Sequence, residues 1–382
     1  MGLSYRVFGS ENSPYSIKVR SYFRYKGFDH AWVVRDQSQM EEFSKYAKLP
    51  LVPLVVDSDG QAIQDSTPIM EKLEAANPEP PFQPADEALA FISALLEEYG
   101  DEWGNKHMFH YRWTYEPAQW ACADRLVREM APGMSDEDYK GMATAIRDRM
   151  VPRLSFVGSN EVTREQIEGS FLRLCELLEA HLDGRPFVLG TRPAMADFGL
   201  YAQVYEALVD PTPGAILTER FPRVVAWVER MLDPPDQGDY EDWTTLESTL
   251  CPILAQEVGG LFLPWTTANA EALASGAEEF SVELEGRPFG QQTQKYHAKS
   301  LAALKARYQA VADRTALDSI LKATGCLNWL AGEDHRPGRS RSHVRLFGQR
   351  TLRGPNLLDG PSPVCLTWSL RRERGVPRAC SN

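Results

Sequence analysis

The densest run of reactive side chains is Glu97 to Trp113, EEYGDEWGNKHMFHYRW, where His107 and His110 stand one helical turn apart with Glu98 and Asp101 close by. Imidazoles at that spacing beside carboxylates are the raw material of a metal site. The same residues equally suit an aromatic, polar wall of a ligand cleft, or a buried network satisfied from within. A second point of interest is Pro53, inside the apolar run Leu51-Val52-Pro53-Leu54-Val55-Val56. A proline cannot donate to a sheet ladder. At the start of a buried strand it points to a cis bond that frees the backbone of Val52 to pair with an extended, peptide-like ligand. No nucleotide-binding glycine loop, HExxH pair or nucleophile elbow occurs in the chain.

Residues 1–77 alternate strand and helix signals. Tyr5-Arg6-Val7-Phe8 alternates and stops at Gly9; Pro14 can open a helix that Gly27 closes. Ala31-Trp32-Val33-Val34 gives a second strand, Gln39 to Tyr46 a second helix, and Leu51 to Val56 a strand buried on both faces. The turn Asp57-Ser58-Asp59-Gly60 leads into Gln61 to Gln64, and a helix then begins near Ser66 and ends at Asn77-Pro78. The order is βαβαββα, a thioredoxin-like half-domain. Asn77 to Pro84 is a proline-rich linker. Beyond it helical periods dominate, as in Ile167, Phe171, Leu174, Leu178 and Leu182, and helices are expected at 86–99, 117–130, 136–150, 222–232 and 299–323. The fold expected is therefore an α/β thioredoxin-like domain over 1–80 and an all-helical domain over 81–334, extended helically from about 242.

Length and composition narrow the possibilities. The chain has 382 residues, 43% of them apolar and 25% charged, with a net charge of −12, ordinary values for a globular protein of two or three domains. A surface of that sign does not wrap nucleic acid. Six cysteines without a CxxC pair make no disulfide framework, so a reducing compartment is the simpler setting. No apolar stretch is long enough to span a membrane and the N-terminus reads as no signal peptide, so a cytoplasmic location is expected. Residues 335–382 differ from the rest, with ten Arg, no Lys and only Asp359 and Glu373 as acids. They lack an apolar period and read as a basic, disordered tail.

Four motifs in order resemble the glutathione S-transferase superfamily. They are Ser13-Pro14-Tyr15-Ser16 with Val19-Arg20, Leu51-Val52-Pro53-Leu54, Gln64-Asp65-Ser66, and Arg192-Pro193-Ala194-Met195-Ala196-Asp197-Phe198; Phe221 to Met231 is similar to a late helix of that fold. The resemblance covers about 230 residues and is to bacterial and omega-like members. It implies glutathione as co-substrate, with Val52 pairing with its cysteinyl unit along the Pro53 strand. Asp65 and Ser66 would hold the γ-glutamyl end, Asp65 accepting from the ammonium and Ser66 offering a helix N-terminus to the carboxylate. Lys48 would meet the glycyl carboxylate. Plain helix capping is the competing role for Asp65 and Ser66.

The family position between the first strand and helix often carries Cys in a Cys-Pro-aromatic run; here it is Ser13-Pro14-Tyr15. A serine cannot form a mixed disulfide. It can donate a hydrogen bond to a glutathione thiolate and so activate the nucleophile. Ser13 could instead only cap its helix, and Ser10, Tyr15 and Ser16 are rival donors. In the segment Arg192 to Phe198, Asp197 supplies one half of a capping box, since Ala194 stands where Ser or Thr is usual. The activity implied is conjugation of glutathione to a small hydrophobic electrophile, with Tyr15, Trp103, His107, His110 and Tyr111 as acceptor-site candidates, no metal, and a homodimer by family habit. A binding or scaffold protein on the same fold, without chemistry, is the alternative.

Overall fold

The computed structural model describes residues 5–331, so the tail at 335–382 lies outside the described residues. The chain opens with β1 (Tyr5–Gly9), α1 (Pro14–Tyr25), β2 (His30–Val34), α2 (Met40–Tyr46), β3 (Leu54–Val56), β4 (Ala62–Gln64) and α3 (Ser66–Ala76). The sheet order is β2-β1-β3-β4, with β1 parallel to β2 and antiparallel to β3, and β3 antiparallel to β4. This is the thioredoxin-like arrangement that the sequence pattern implies. Helix α1 starts where Ser13 accepts from the Ser16 amide at 3.3 Å, with Pro14 in its first turn. It ends just before Gly27, which holds a left-handed φ of 62°.

A helical domain follows. It contains α4 (Glu87–Tyr99), a π-helical turn (Gly100–Gly104), α5 (Asn105–Thr114), α6 (Glu116–Met130), α7 (Asp136–Met150), α8 (Arg164–His181), α9 (Met195–Leu208), α10 (Pro211–Arg220) and α11 (Pro222–Met231). Helix α9 is its axis, buried along most of its length. Asp197 reaches back to the Ala194 amide and also accepts from the Val188 amide and the Trp227 ring nitrogen, each within 2.9 Å. The single carboxylate thus ties a loop, a helix start and α11 together.

The extension comprises α12 (Trp243–Ile253), a second π-helical segment (Leu254–Phe262), α13 (Leu263–Ala274), β5 (Glu279–Leu284), β6 (Arg287–Gln292), α14 (Lys295–Ala310), α15 (Thr315–Ala323) and α16 (Leu327–Leu330). Two features depart from the expected helical extension. Residues 279–292 form an antiparallel hairpin, in which Phe280, Val282 and Leu284 are buried on one face. Its turn is Glu285-Gly286, both with positive φ (52° and 73°), the two-residue geometry that suits the twist of a hairpin. The helix expected at 299–323 is two helices, because the chain turns extended at Val311 and the Asp313 carboxylate takes the Thr315 amide to start α15. Among the described residues no helix is long and apolar enough to cross a membrane.

Candidate active site

Sheet register decides what lies together. Phe8 pairs with Leu54, and Leu54 pairs with Gln64. The end of β1, the start of β3 and the end of β4 therefore converge at one edge of the sheet. From that edge leave the loop to Ser13, the Val52–Pro53 bond, which is cis, and the step into Asp65 and Ser66. Helices α1 and α3 both present their N-termini there. Ser13, Val52, Pro53, Asp65 and Ser66, singled out separately in sequence, thus share one corner. Lys48 stands at its exposed margin, its amide and that of Leu49 held by the Gln64 side chain, which also donates to the carbonyls of Leu49 and Leu51.

Asp65 has a φ of 81° and makes no side-chain cap bond to α3. A non-glycine residue in that region is uncommon and costs conformational energy. Its carboxylate instead receives the hydroxyl of Tyr296 from α14, at 3.2 and 3.0 Å to its two oxygens. Burial raises the Asp65 pKa, and the Tyr296 hydrogen bond and Lys18 work against that rise. Ser66 is buried, and among the described residues its hydroxyl has no partner. A buried unpartnered hydroxyl is costly in a protein interior, and a ligand carboxylate at the α3 N-terminus would satisfy it.

The loop carrying Ser13 is clamped from the helical domain. Glu129 accepts from the Ser10 hydroxyl (2.8 Å), the Glu11 amide (2.6 Å) and the Asn12 side chain (2.9 Å). Arg112 donates to the Asn12 carbonyl at 3.2 Å and Arg125 to its side chain at 2.9 Å. Ser10 is thereby committed to Glu129, and Tyr15 to the Asp101 carbonyl at 3.0 Å. Ser13 accepts from Ser16, and among the described residues its own proton has no acceptor and the buried Ser16 hydroxyl no partner.

Above the corner stands α4. Lys18, fully buried on α1, pairs with Glu97 and, at 2.7 Å, with Asp101, and donates to Thr67 at 3.1 Å. Burial opposes the Lys18 charge, but the two carboxylates outweigh it and raise its pKa. Burial likewise pushes the Asp101 carboxyl up to about 8, with Lys18 pulling the other way. Glu98 is driven up by burial and by the charge of Glu102, while Glu102 pairs with His297 of α14. Lys18, Tyr296 and His297 escape the sequence reading, which assigns no site role to Gln64, Thr67 or Glu97. Lys18 alone carried a local signal, a charge among apolar neighbours in α1.

The other acceptor-site candidates lie elsewhere. Trp103 donates to Ser170 at 2.9 Å and packs on Trp265 and Phe289; His107 also meets Ser170, at 2.8 Å. His110 bonds Ser159 and Glu168, and Tyr111 packs on Phe171 and Tyr115. All four are buried in the helical interior with partners from α8 and its approach. Burial pushes His107 down to about 3, so it stays neutral. Of the five, only Tyr15 reaches the corner described above. Among the described residues no group of three or more His, Cys, Asp or Glu side chains is placed to hold a metal.

Residues 12–76 match the family model for the glutathione S-transferase N-terminal domain, and residues 161–230 the model for its C-terminal domain. Over those two stretches the chain is similar to the two domains of that family, in their order. The isoprene-epoxide–glutathione S-transferase of Rhodococcus sp. (strain AD45) is 26% identical over 226 residues, covering 57% of this chain and 91% of that protein. Among solved structures, a glutathione S-transferase of Methylobacterium radiotolerans in complex with glutathione sulfonate covers 63% of this chain and 98% of its own, at 19% identity and a TM-score of 0.40. A beta-etherase of Sphingobium sp. strain SYK-6 covers 62% and 97%, at 22% identity and a TM-score of 0.42.

Proposed function

We infer that the chain is a glutathione transferase that joins the glutathione thiolate to a small hydrophobic electrophile. The observation that carries this reading is the convergence of Ser13, Val52–Pro53 and Asp65–Ser66 at one sheet edge, with the Ser66 hydroxyl buried and unpartnered. In this reading Ser66 and the α3 N-terminus take the γ-glutamyl carboxylate, Asp65 takes the ammonium, Val52 pairs with the cysteinyl unit, and Lys48 meets the glycyl carboxylate. Ser13 donates its hydroxyl to the thiolate beside the positive end of α1, which lowers the thiol pKa and keeps the nucleophile charged near neutrality. The sulfur then attacks carbon. With an epoxide, the C–S bond forms as a C–O bond breaks, and the released oxygen takes a proton from water. The name of the Rhodococcus relative makes a small epoxide the first electrophile to try. A homodimer belongs to the same reading and would be checked by light scattering.

The test is retention on immobilised glutathione, then conjugation with an activated aryl halide and a small epoxide. Ser13→Ala should cut turnover about tenfold, roughly 1.4 kcal/mol of transition-state stabilisation, and leave glutathione affinity within about twofold. Unchanged turnover would move the thiolate contact to Ser16. Retention without turnover on any electrophile would favour the scaffold role, and no retention would overturn glutathione as ligand.

A further inference from the structure

The extension reaches the glutathione corner through the first turn of α14. Tyr296 touches both oxygens of Asp65, its neighbour His297 pairs with Glu102, and Arg307 further along the helix pairs with Glu71 of α3. Helix α14 is thus strapped across α3 and the turn after α4. Asp65, which does not cap its own helix, has its side chain held from a residue 231 positions away.

We propose that Tyr296 is a positioning residue for glutathione: its hydroxyl orients the Asp65 carboxylate and keeps it able to receive the ligand's ammonium group. This rests on the glutathione reading above. A carboxylate offers about four lone-pair directions, and one tyrosine O–H uses the space of one. The remaining directions are left for an ammonium. With Asp65 ionised the bond is charge-assisted, which makes it stronger than a neutral one. The surroundings give it a task, because Asp65 is partly buried and faces more acid than base. Lys18 of α1 is the cation near it; Glu97 of α4 and Glu102 of the turn beyond are the acids. Tyr296 itself faces Glu102, Glu98 and Tyr15 as well. In that setting the neutral acid form of Asp65 gains, and a neutral acid attracts an ammonium poorly. A hydroxyl that donates its proton to the carboxylate favours the charged form and tips the balance back. The sign follows: without Tyr296 the Asp65 pKa rises, so ligand affinity is lost most at low pH and recovers as pH increases.

The experiment uses the full-length protein and glutathione itself, with affinity measured by calorimetry from pH 5.5 to 8.5. Tyr296→Phe deletes one oxygen and keeps the ring. It should weaken binding about tenfold at pH 5.5 and by less than about threefold at pH 8.5, the range of one charge-assisted hydrogen bond. In an Asp65→Asn background, the same substitution should change affinity by less than about twofold, because the partner is gone. Equal affinities of parent and Tyr296→Phe at every pH would overturn the proposal. So would a uniform loss at every pH, which is what simple misplacement of the helix would give, or an undiminished effect in the Asp65→Asn background. Failure of the unaltered protein to bind glutathione at any pH would be a different result, since it removes the ligand reading and this inference with it.

Discussion

The thioredoxin-like domain and the extension both dock on α4 and the π-helical turn after it, and their contacts differ in kind. The first meets that helix with charge: Lys18 on Glu97 and Asp101, and the Tyr15 hydroxyl on the Asp101 carbonyl. The second meets it largely with rings. Trp265 lies edge-on to Trp103 with centroids 5.7 Å apart, Phe262 to Tyr99 at 6.1 Å, and Tyr308 to Phe91 at 5.9 Å. Two buried polar contacts accompany them: His297 with Glu102, and Glu257 accepting from Tyr99 at 2.9 Å and from Arg173 at 2.6 Å. Apolar packing is insensitive to pH and scales with the area removed from water. Buried charge contacts stabilise less on balance and respond to protonation. The extension is therefore a structural half of the helical core, and the thioredoxin-like domain is the partner whose seat can be tuned.

The sharpest way to break that contrast is to remove the extension. Truncation after Asp242 would strip Leu246, Leu250, Leu254, Val258, Leu261 and Trp265, all fully buried, from the core, and uncover Tyr99 and Trp103. Each such side chain contributes about 1.5–3 kcal/mol by burial, so the six together, about 9–18 kcal/mol, are as large as a typical net stability of about 5–15 kcal/mol. The truncated chain should show no cooperative thermal transition by circular dichroism. A sharp melt close to that of the parent would mean the extension is an accessory and not part of the core.

A smaller perturbation acts on the seat that both regions share. Helices α4 and α9 touch at Gly100 and Gly199: a Cβ on Gly199 would lie 2.8 Å from the Glu97 Cα and carbonyl oxygen, and one on Gly100 2.8 Å from the Gly199 carbonyl carbon. These are backbone contacts that no rotamer change relieves. Gly199→Ala should cost about 1–3 kcal/mol, typical of an overpacked core, and because Glu97 moves, glutathione affinity should fall too. An unchanged melting temperature would show that the two helices have room to part.

How far these two regions were legible in sequence follows the same division. The thioredoxin-like half announces itself through local rules: alternation in Tyr5–Phe8, Pro14 opening a helix, Gly27 closing it, Pro53 in an apolar run. Its site residues are local turn and cap positions, so Ser13, Pro53, Asp65 and Ser66 could be named. The extension is held by long-range packing. Its hairpin did carry a period of two and a Glu285-Gly286 turn, but alanine-rich helical stretches on both sides obscured it. The break at Val311 has neither glycine nor proline to mark it. Tyr296 meets Asp65 only because α14 lies across α3, a fact without local trace. The Glu97–Trp113 run shows the converse. Its side chains look reactive, yet Ser159, Glu168 and Ser170, more than fifty positions further on for the most part, satisfy the histidines and Trp103 inside the core.

The smallest effect separates the two docking chemistries by pH. Burial holds the Asp101 carboxyl at about 8 in the folded protein, against an ordinary value of 3.8. Between those values the folded state keeps a proton that the unfolded state has released, so stability falls as pH rises through the window, by up to about 1.4 kcal/mol per pH unit for one group. Buried Asp197, at about 6, and Glu206, at about 7, act in the same direction, the first nearly finished titrating at neutrality and the second halfway. His107 and His181, held neutral by burial down to about 3 and about 4, act oppositely and cost stability only as pH drops below the ordinary histidine value of 6.5. Above pH 7 the groups that lower stability are Asp101, the remainder of Glu206 and Glu98, whose pKa burial also raises, while Lys106, whose pKa burial lowers, acts oppositely. Asp101→Asn mimics the protonated side chain at similar size. Between pH 7 and 8.5 the melting temperature of the parent should fall relative to that of the variant by about 2–4 degrees per pH unit, since Glu98, Glu206 and Lys106 act alike in both. Parallel declines in parent and variant would mean that Asp101 is ionised throughout against Lys18, and the contact between the two domains would then be a fixed ion pair and not a titrating one.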